Sequence, residues 1–322
     1  AKIKEIAPDI IHLHHLHGYY INIKILFDYL STANIPVVWT FHDCWAITGH
    51  CAYFDYIGCN KWKTICNHCP QKTEYPASLL IDRSNKNHKL KKELFTSVKS
   101  MVVVPVSNWL KEIVLESFMQ NIPVQTIHNG IDISIFKPQC NDGKTRTKYG
   151  VNNKFMLLGV ASPWTRRKGL NDFIELSKYL YEDEIIVLVG LNSNQIKLLP
   201  KNIIGLTKTE NKQQLADLYG AASVFMNLSV EETFGLTTAE ALACGTPAIV
   251  YNATACPEII DPYTGIVVEK GSITGLVNAI KVIKEKGKNS YSAACRKRAE
   301  ENYEKNKQFF KYIELYNSLL SK

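Results

Sequence analysis

The sequence predicts an α/β fold of two Rossmann-like, doubly wound domains that face each other across a cleft. A short apolar run, a turn and an amphipathic helix recur along the chain, which is typical of parallel sheets covered by helices. The 322 residues also exceed the size at which one hydrophobic core usually stops growing. The stretch from Asn129 to Val151 is polar, contains Pro138 and Gly143, and shows little periodicity, so it is the best linker candidate. We expect a first domain over residues 1–150, which includes this linker, and a second over 151–322, with the last helix crossing back to the first domain.

In the first domain, apolar runs predict strands at Ile10–His14, Val37–His42, Met101–Val106 and Val124–His128. Helices are predicted at Tyr20–Thr32, Asn85–Ser97 and Ser107–Phe118, the last with a serine as its N-cap. Residues 43–76 are rich in aromatic residues, glycine and cysteine, so we interpret them as an inserted structured loop. The chain has no initiator methionine and enters a strand pattern almost at once, and we expect the beginning of this domain to be missing.

In the second domain, strands are predicted at Phe155–Val160, Ile185–Val189, Ile203–Leu206, Val224–Asn227 and Pro247–Val250. Helices are predicted at Leu170–Tyr181, Lys212–Ala221, Leu236–Ala243, Ile273–Lys286, Ser290–Asn302 and Asn306–Leu320. Ligands of doubly wound sheets bind outside the carboxyl ends of the strands. Functional motifs are therefore expected just after strands.

The composition is that of a globular protein, with 46% hydrophobic and 21% charged residues. No apolar stretch approaches the roughly 20 residues that a membrane-spanning helix needs. The net charge of +8 suits anionic substrates, an anionic membrane surface or nucleic acid, and it also fits a solvated surface rich in lysine. Nine cysteines, an odd number, indicate reduced thiols and a cytoplasmic protein, with a location at the inner face of the membrane as a second option.

The strongest motif runs from Val224 to Pro247 and reads VFMNLSVEETFGLTTAEALACGTP. A strand ends near Asn227, a loop follows, and a helix begins near Leu236. Backbone amides at a helix start can hold a phosphate, and a glycine just before it lets a ligand approach the backbone. A glutamate one turn into the helix is placed to accept hydrogen bonds from a ribose.

This motif resembles the signature of glycosyltransferase family 4, in which two glutamates separated by seven residues surround a Phe-Gly step and precede a Gly-x-Pro turn. The resemblance implies a GT-B fold, a retaining nucleotide-sugar-dependent transferase and catalysis without a metal cofactor. It also implies that Glu232 contacts the transferred sugar and that Glu240 contacts the ribose. The residues implied to face the diphosphate are Gly235, Leu236, Thr237 and Thr238.

Further matches extend the resemblance along the chain. Lys168 resembles the basic residue that contacts the donor diphosphate, where its charge would stabilise the leaving group. The family usually has a Gly-Arg pair before this lysine, where this chain has Ala161 and Ser162. Arg166 or Arg167 could supply the missing guanidinium, although a solvated basic loop would look the same.

Other family positions are matched more weakly. His42, at a strand end, resembles the histidine that approaches the donor sugar, but a histidine of the core would fit too. Glu258 resembles a second acidic residue that closes the donor pocket, and Leu206 follows a strand where the base is read. Gly130, in a strand-end turn, is expected to have a positive φ. Four histidines lie near an earlier strand end, namely His12, His14, His15 and His17. They could line an acceptor cleft, or they could be ordinary strand and loop residues.

The cysteine cluster lies outside this resemblance. Cys51, Cys59, Cys66 and Cys69 have the spacing C-x7-C-x6-C-x2-C. Four thiolates suit a tetrahedral structural zinc, and His50 or His68 could replace a thiol. Free thiols in a packed loop fit the spacing equally well.

Four other functions differ from a transferase in what they require of the sequence. A nicotinamide dehydrogenase lacks its G-x-G-x-x-G fingerprint here, and a nucleic-acid protein would not explain the glutamates at a helix start. A sugar-nucleotide 2-epimerase or a non-catalytic nucleotide-sugar scaffold stays open. The expected partners are a UDP- or GDP-type sugar donor, a saccharide or lipid-linked acceptor of bacterial surface polysaccharide synthesis, and a peripheral membrane contact, but no nucleic acid.

Overall fold

The computed structural model describes residues 2–18, 20–78, 80–138 and 142–321. Contacts between Cα atoms divide the chain into two units. Unit 1 contains residues 1–128 and 309–322, and unit 2 contains residues 129–308. The segment 129–150, which the sequence analysis joined to the first domain, therefore groups with the second unit. Residues 139–141 of this segment, including Cys140, lie outside the described residues.

Unit 1 is built on a parallel sheet, which has three strands in the order β1-β2-β3 among the residues described. The strands are β1 (Ile11–Leu13), β2 (Val37–Phe41) and β3 (Met101–Pro105). The helices are α1 (Lys2–Ile6), α2 (Ile23–Leu30), α3 (Ser84–Phe95) and α4 (Asn108–Leu115). Helix α4 begins after Ser107, whose side chain accepts the amide of Leu110, so the predicted serine N-cap is present.

The predicted strand Val124–His128 is an extended segment rather than a full strand. It forms one isolated parallel bridge, between Val103 and Val124. The amides of Gln125 and Ile127 donate to β3 carbonyls at 3.0 and 3.2 Å. This segment therefore pairs with β3 along one edge, but the run of paired residues is too short to form a fourth strand.

Aromatic and aliphatic side chains form the core of unit 1. The rings of Phe27, Trp39 and Phe95 pack together between α2, the sheet and α3, with centroids 4.5–5.4 Å apart. On the sheet, Val38 and Val104 form a buried cluster with Leu315 from the end of the chain. Burial of such side chains is the main stabilising contribution of a core.

The segment after β2 is compact and irregular. It contains short 3-10 helices at Trp45–Ile47, Asp55–Ile57 and Lys61–Lys63. Trp62 in the last of these is buried against Phe54, with ring centroids 4.9 Å apart. The predicted inserted structured loop is therefore packed by its own aromatic side chains, which is how a long loop without regular structure can be ordered.

Unit 2 also contains a parallel sheet, which within residues 142–308 has six strands in the order β6-β5-β4-β7-β8-β9. The strands are β4 (Phe155–Val160), β5 (Glu184–Val189), β6 (Ile203–Leu206), β7 (Val224–Asn227), β8 (Ala248–Tyr251) and β9 (Gly265–Val268). The helices are α5 (Asp142–Lys148), α6 (Leu170–Leu176), α7 (Ser193–Lys197), α8 (Lys212–Ala221), α9 (Leu236–Ala243), α10 (Ile273–Lys286) and α11 (Asn289–Asn302). The last helix, α12 (Lys305–Leu320), begins in unit 2, and its residues from 309 onward group with unit 1. The strand order reverses between β4 and β7, and motifs after these two strands can meet there.

The structure corrects the linker prediction. Helix α5 occupies part of the stretch predicted as a linker. Its sequence DGKTRTK has no apolar face, and this is why the stretch shows no helical periodicity. Arg146 anchors the end of this helix through hydrogen bonds to the carbonyl of Lys154 at 2.8 Å and to Ser223 at 3.1 Å. Helices α1 and α7 and strand β9 were also not predicted; all three have only four or five residues.

Among the described residues, no helix combines the length and the apolarity that crossing a membrane requires.

Candidate functional site

The loop after β7 leads into helix α9, and its last residue controls how that helix begins. Gly235 caps the helix with a φ of +102°, a left-handed conformation that glycine adopts more readily than other residues. The amide of Thr238 donates back to the Gly235 carbonyl at 3.0 Å. The amides of Leu236 and Thr237, at the first two helical positions, are therefore the ones best placed to bind an anion.

The end of β7 is tied to the first turn of α9 by a buried asparagine. The Asn227 side chain donates to the Thr238 hydroxyl at 3.1 Å and accepts the amide of Ser229 at 3.2 Å. Thr238 is fully buried, and its hydroxyl points to the strand end. It serves in this way to position the helix start, whereas Leu236 is exposed and Thr237 is partly exposed.

The basic turn after β4 packs directly against the loop after β7. Gly169 ends this turn with a φ of +75°, and a Cβ atom there would lie 2.2 Å from the Leu228 carbonyl oxygen. Only glycine allows this approach. The carbonyl of Arg167 accepts the amide of Val230 at 2.9 Å, and its guanidinium donates to the Glu231 carbonyl.

The approach of these loops brings Lys168 and Glu232 together as an ion pair. Their side chains are 19% and 15% exposed, so water screens the pair only partly. Burial by itself would raise the pKa of Glu232, but the charges of Lys168 and Arg167 outweigh it and lower that pKa. Glu232 is thus held as a carboxylate next to a helix start.

The backbone at Glu232 is held by a second loop, the one after β8. The Glu232 amide donates to the Thr254 hydroxyl, and that hydroxyl donates to the Glu232 carbonyl, both at 2.8 Å. Thr254 has a φ of +48°, which is unusual for a β-branched residue. Backbone strain of this kind persists where surrounding contacts determine the conformation.

Glu240 lies on α9 and has a different environment from Glu232. Its carboxylate accepts a hydrogen bond from the buried hydroxyl of Tyr219 at 2.9 Å. Burial raises the pKa of Glu240 to about 7, although the Tyr219 bond opposes this shift. Tyr219 was not predicted as a site residue, because its only signal was an aromatic hydroxyl on the buried face of a predicted helix.

The other predicted donor residues of unit 2 occupy three separate places. Arg166 is exposed at the start of the basic turn, and Leu206 is partly buried at the end of β6. Glu258 lies in a 3-10 helix after β8. Its carbonyl accepts hydrogen bonds from Arg298 at 2.9 Å and from the Tyr303 hydroxyl at 3.2 Å, so two residues of the carboxy-terminal part of this unit position it.

The predicted positive φ at Gly130 is wrong, because the residue is not among those with positive φ. Instead, a Cβ atom at Gly130 would lie 2.5 Å from the Cα atom of Lys305. A glycine is needed at this position because any side chain would clash with the backbone of Lys305. The neighbouring Asp132 pairs with the Lys305 ammonium at 2.6 Å.

In unit 1, histidines gather after β1 and β2. His42 follows β2, and its ring lies 3.0 Å from His14 through Nε2 and Nδ1. Burial, together with His15 and His14, lowers the pKa of His42 to about 4, so the ring is neutral at neutral pH. His12 points elsewhere, to the hydroxyls of Thr40 and Tyr316 at 2.8 and 2.6 Å.

Asp43 organises the other histidines of this group. Its carboxylate contacts His17 at 2.8 Å and His15 at 3.5 Å, and it also accepts the amide of Trp45. Burial opposes its ionisation, but the hydrogen bonds from His15 and His17 lower the pKa of Asp43. The second nitrogen of His17 contacts the Tyr75 hydroxyl at 2.9 Å. Asp43 was not predicted as a site residue, although it directly follows His42.

Comparison with known families gives matches over both units. Residues 141–302 match the family model described as "Glycosyl transferases group 1". Residues 1–135 match the one described as "Glycosyltransferase Family 4". The first match covers the basic turn, the Lys168–Glu232 pair and Glu240.

Similar curated proteins come from bacteria. Escherichia coli WcaC, named as a colanic acid biosynthesis glycosyl transferase, is 25% identical over 85% of this chain and 67% of its own length. An E. coli UDP-Gal:alpha-D-GlcNAc-diphosphoundecaprenol alpha-1,3-galactosyltransferase is 26% identical over 70% of this chain and 62% of its own. The N-acetyl-alpha-D-glucosaminyl L-malate synthase of Bacillus anthracis is 30% identical over 58% of this chain, which spans only 51% of that protein.

Similar solved structures include sucrose-phosphate synthase from Thermosynechococcus elongatus, with a TM-score of 0.76 and 17% identity. The match covers 99% of this chain and 76% of that one. The Anabaena protein HepE in complex with UDP has a TM-score of 0.72 and 20% identity, over 99% of this chain and 81% of that one. These similarities show the GT-B fold, as predicted.

Proposed function

The chain belongs to the group 1 glycosyl transferases, and from this premise we propose that it is a retaining transferase which moves a hexosyl residue from a nucleotide sugar to a saccharide or lipid-linked saccharide. The observation that carries the proposal is the arrangement after β4 and β7. The ammonium group of Lys168, the carboxylate of Glu232 and the start of helix α9 lie together at the carboxyl ends of the adjacent strands β4 and β7.

Each group has a proposed role at a bound donor. The Leu236 and Thr237 amides and the Lys168 ammonium bind the diphosphate, and Arg166 or Arg167 adds positive charge to this turn. Glu232, held ionised, accepts hydrogen bonds from the transferred sugar. Glu240 accepts hydrogen bonds from the ribose, while Leu206 contacts the base and Glu258 helps to close the pocket.

The reaction that we propose breaks the bond between the anomeric carbon and the diphosphate oxygen. The acceptor oxygen forms its bond to the same face of that carbon, and its proton passes to the departing diphosphate. Negative charge therefore grows on the diphosphate, where Lys168 and the helix amides stabilise it most strongly in the transition state. These positive groups can supply the stabilisation that a divalent cation gives elsewhere, so we propose catalysis without a metal.

His42, which follows β2, is proposed to contact the transferred sugar. Its low pKa keeps the ring neutral, and a neutral imidazole can exchange a hydrogen bond with a hydroxyl. This suits a sugar hydroxyl and does not add positive charge near the anomeric carbon.

The donor and the acceptor are proposed by comparison. One relative is named for UDP-galactose and a diphosphoundecaprenol acceptor, and one similar structure contains UDP. A uridine or guanosine diphosphate sugar and an acceptor of bacterial surface polysaccharide assembly are therefore the first choices. A lipid-linked acceptor would require peripheral contact with a membrane, which the net charge of +8 would favour at an anionic surface.

The test is a panel of UDP- and GDP-sugars, first for binding by thermal shift and then for transfer. Each bound donor is incubated alone and with a lipid-linked disaccharide, and the products are identified by mass spectrometry and NMR. We expect a new glycosidic bond of retained anomeric configuration only when the acceptor is present. A free epimerised sugar from the donor alone would mean a 2-epimerase, and binding without any product would mean a non-catalytic scaffold.

A further inference from the structure

Four cysteines of the inserted segment line one small cavity in unit 1. They are Cys51, Cys59, Cys66 and Cys69. The cavity measures about 10 Å³, which is at the lower limit for a single water molecule. It has no room for a substrate or a hydrated ion, but a bare metal ion bound directly to sulfur needs little more space.

The thiols already interact with one another and with the backbone. Cys51 and Cys69 form a hydrogen bond with each other through their side chains. The amide of Gly49 donates to the Cys66 sulfur at 3.2 Å. A Cβ atom at Gly49 would lie 2.8 Å from the Cys66 Cβ and 2.1 Å from the Ser84 carbonyl oxygen. The backbone is thus brought close enough for an amide to stabilise a thiolate, as the surroundings of metal-bound ligands commonly do.

The turn between Cys66 and Cys69 is held in an unusual conformation. His68 has a φ of +42°, a left-handed value uncommon for a residue other than glycine. The Lys61 ammonium donates to the Asn67 and His68 carbonyls at 3.0 and 3.1 Å. The Cys69 amide donates to Asp82 at 2.8 Å. These contacts fix a C-x2-C turn, the spacing that commonly lets two thiolates reach one zinc ion.

We propose that Cys51, Cys59, Cys66 and Cys69 bind one zinc ion in a tetrahedral, purely structural site. Sulfur ligands select zinc among the common divalent cations. The site would join the two ends of a segment that has little regular structure of its own. Its contribution is to the stability of unit 1, and no residue of the proposed donor site takes part.

Metal binding must draw the sulfur atoms closer together. Tetrahedral coordination at about 2.3 Å places sulfur atoms about 3.8 Å apart. Within the residues described, no three of these sulfur atoms lie within 4.8 Å of one another. The bound metal would therefore tighten the segment, which predicts that adding zinc to the metal-free protein raises its melting temperature.

A second group of metal-ligating atoms has to be distinguished from this one. In the described part of the chain, His15, His17 and Asp43 are the only such group in which three ligand atoms lie within 4.8 Å of one another. Their contacts of 2.8 and 3.2 Å are ordinary hydrogen-bond lengths, and the His15 side chain is 52% exposed. Hydrogen bonding accounts for this group, so the experiment must separate the two.

The experiment measures zinc per chain by elemental analysis of protein purified without a tag. Cys59→Ser and Cys69→Ser remove proposed ligands. Cys44→Ser is the matched control, since Cys44 is a buried thiol of the same segment that does not line the cavity. His17→Gln tests the second group. We expect about one zinc per chain in the wild type, Cys44→Ser and His17→Gln, and at least about a tenfold loss of zinc affinity in the two ligand variants.

A second measurement on the wild-type chain avoids variants that fail to fold. Cobalt exchanged into the site should give thiolate-to-cobalt charge-transfer absorption, which histidine and carboxylate ligands cannot produce. Chelation of the native metal should increase the number of thiols that react with a thiol reagent by four. The proposal is overturned if the native protein contains no zinc and the four thiols react freely, or if zinc is lost in His17→Gln and kept in the cysteine variants. Neither result affects the proposed transferase function, which is tested by nucleotide binding and transfer.

Discussion

The ammonium group of Lys168 and the carboxylate of Glu232 form an ion pair across 64 positions of sequence. The first residue lies in the turn after β4, and the second lies in the loop after β7, the neighbouring strand. Both are proposed to contact the donor, and the charge of Lys168 lowers the pKa of Glu232 and so keeps its carboxylate ionised. A diphosphate would then compete with Glu232 for the lysine.

Replacement of Glu232 by glutamine removes the negative charge and keeps the shape. We expect turnover to fall, because the transferred sugar loses a charged acceptor, while affinity for bare UDP or GDP stays equal or rises because Lys168 is no longer neutralised. Calorimetry with the nucleoside diphosphate and a transfer assay check this. If both quantities decrease in parallel, Glu232 supports the loop and does not contact the sugar.

Replacement of Lys168 by alanine should weaken nucleoside diphosphate binding and turnover together. A charged hydrogen bond is lost, and an unpaired Glu232 then repels the diphosphate, so a loss of roughly 1.5–3 kcal/mol is expected, larger at low salt. Arg166→Ala is the comparison from the same turn, and because Arg166 is exposed we expect it to lose less affinity than Lys168→Ala.

The double variant Lys168→Ala/Glu232→Gln separates the two causes. If repulsion by Glu232 contributes, the double variant should bind the diphosphate more tightly than Lys168→Ala alone. A larger loss in Arg166→Ala or Arg167→Ala than in Lys168→Ala would show that an arginine carries the contact instead.

The raised pKa of Glu240, about 7, predicts that nucleotide affinity depends on pH. A ribose hydroxyl donates to the ionised carboxylate, so binding should strengthen as pH rises through about 7, with protons released on binding near that pH. Calorimetry at about one pH unit below and about one pH unit above this pKa measures the change in nucleotide affinity. Glu240→Gln is the control, because titration of the nucleotide phosphate is common to both proteins. If the wild type and Glu240→Gln show the same dependence of affinity on pH, Glu240 does not contact the ribose.

Gly235→Ala tests the helix start at the proposed diphosphate site. A residue other than glycine at φ +102° is strained, at a cost of roughly 1–2 kcal/mol of stability. Gly271→Ala is the matched control, since Gly271 has a φ of +78° and an added Cβ atom would meet nothing within 4 Å. We expect both variants to lose similar stability in urea unfolding, but only Gly235→Ala to lose nucleotide affinity. Equal nucleotide affinity in both variants would show that the diphosphate binds elsewhere.

His42→Ala should lower turnover and leave binding of the bare nucleoside diphosphate unchanged, because the proposed contact is to the sugar. Since the pKa of His42 is about 4, its protonation should not affect activity at neutral pH. His12→Gln is the control, as His12 bonds to Thr40 and Tyr316 in the same unit. A similar loss of turnover in both variants would point to a structural role of the histidine group.

Much of the fold follows from local pattern. Strands β6 and β7 and helices α8, α9 and α10 have the predicted bounds, because each combines one hydrophobic period with turn residues at both ends. Where local signals were weak the prediction failed. Helix α5 has no apolar face, and strand β9, with just four residues, is paired with β8 at the edge of the sheet as described.

The sequence by itself determined the residue types of the candidate site and their position after strands, because a strand, a loop and a capped helix are encoded by neighbouring residues. Only the tertiary structure decided which of these residues meet. Lys168 reaches Glu232 because Gly169 lets two loops touch, Glu240 meets the hydroxyl of Tyr219 from another helix, and Gly130 faces Lys305 and needs no special φ. Such contacts depend on how strands are ordered in the sheet and on how closely backbones approach, and these are properties of the packed chain that no local pattern contains.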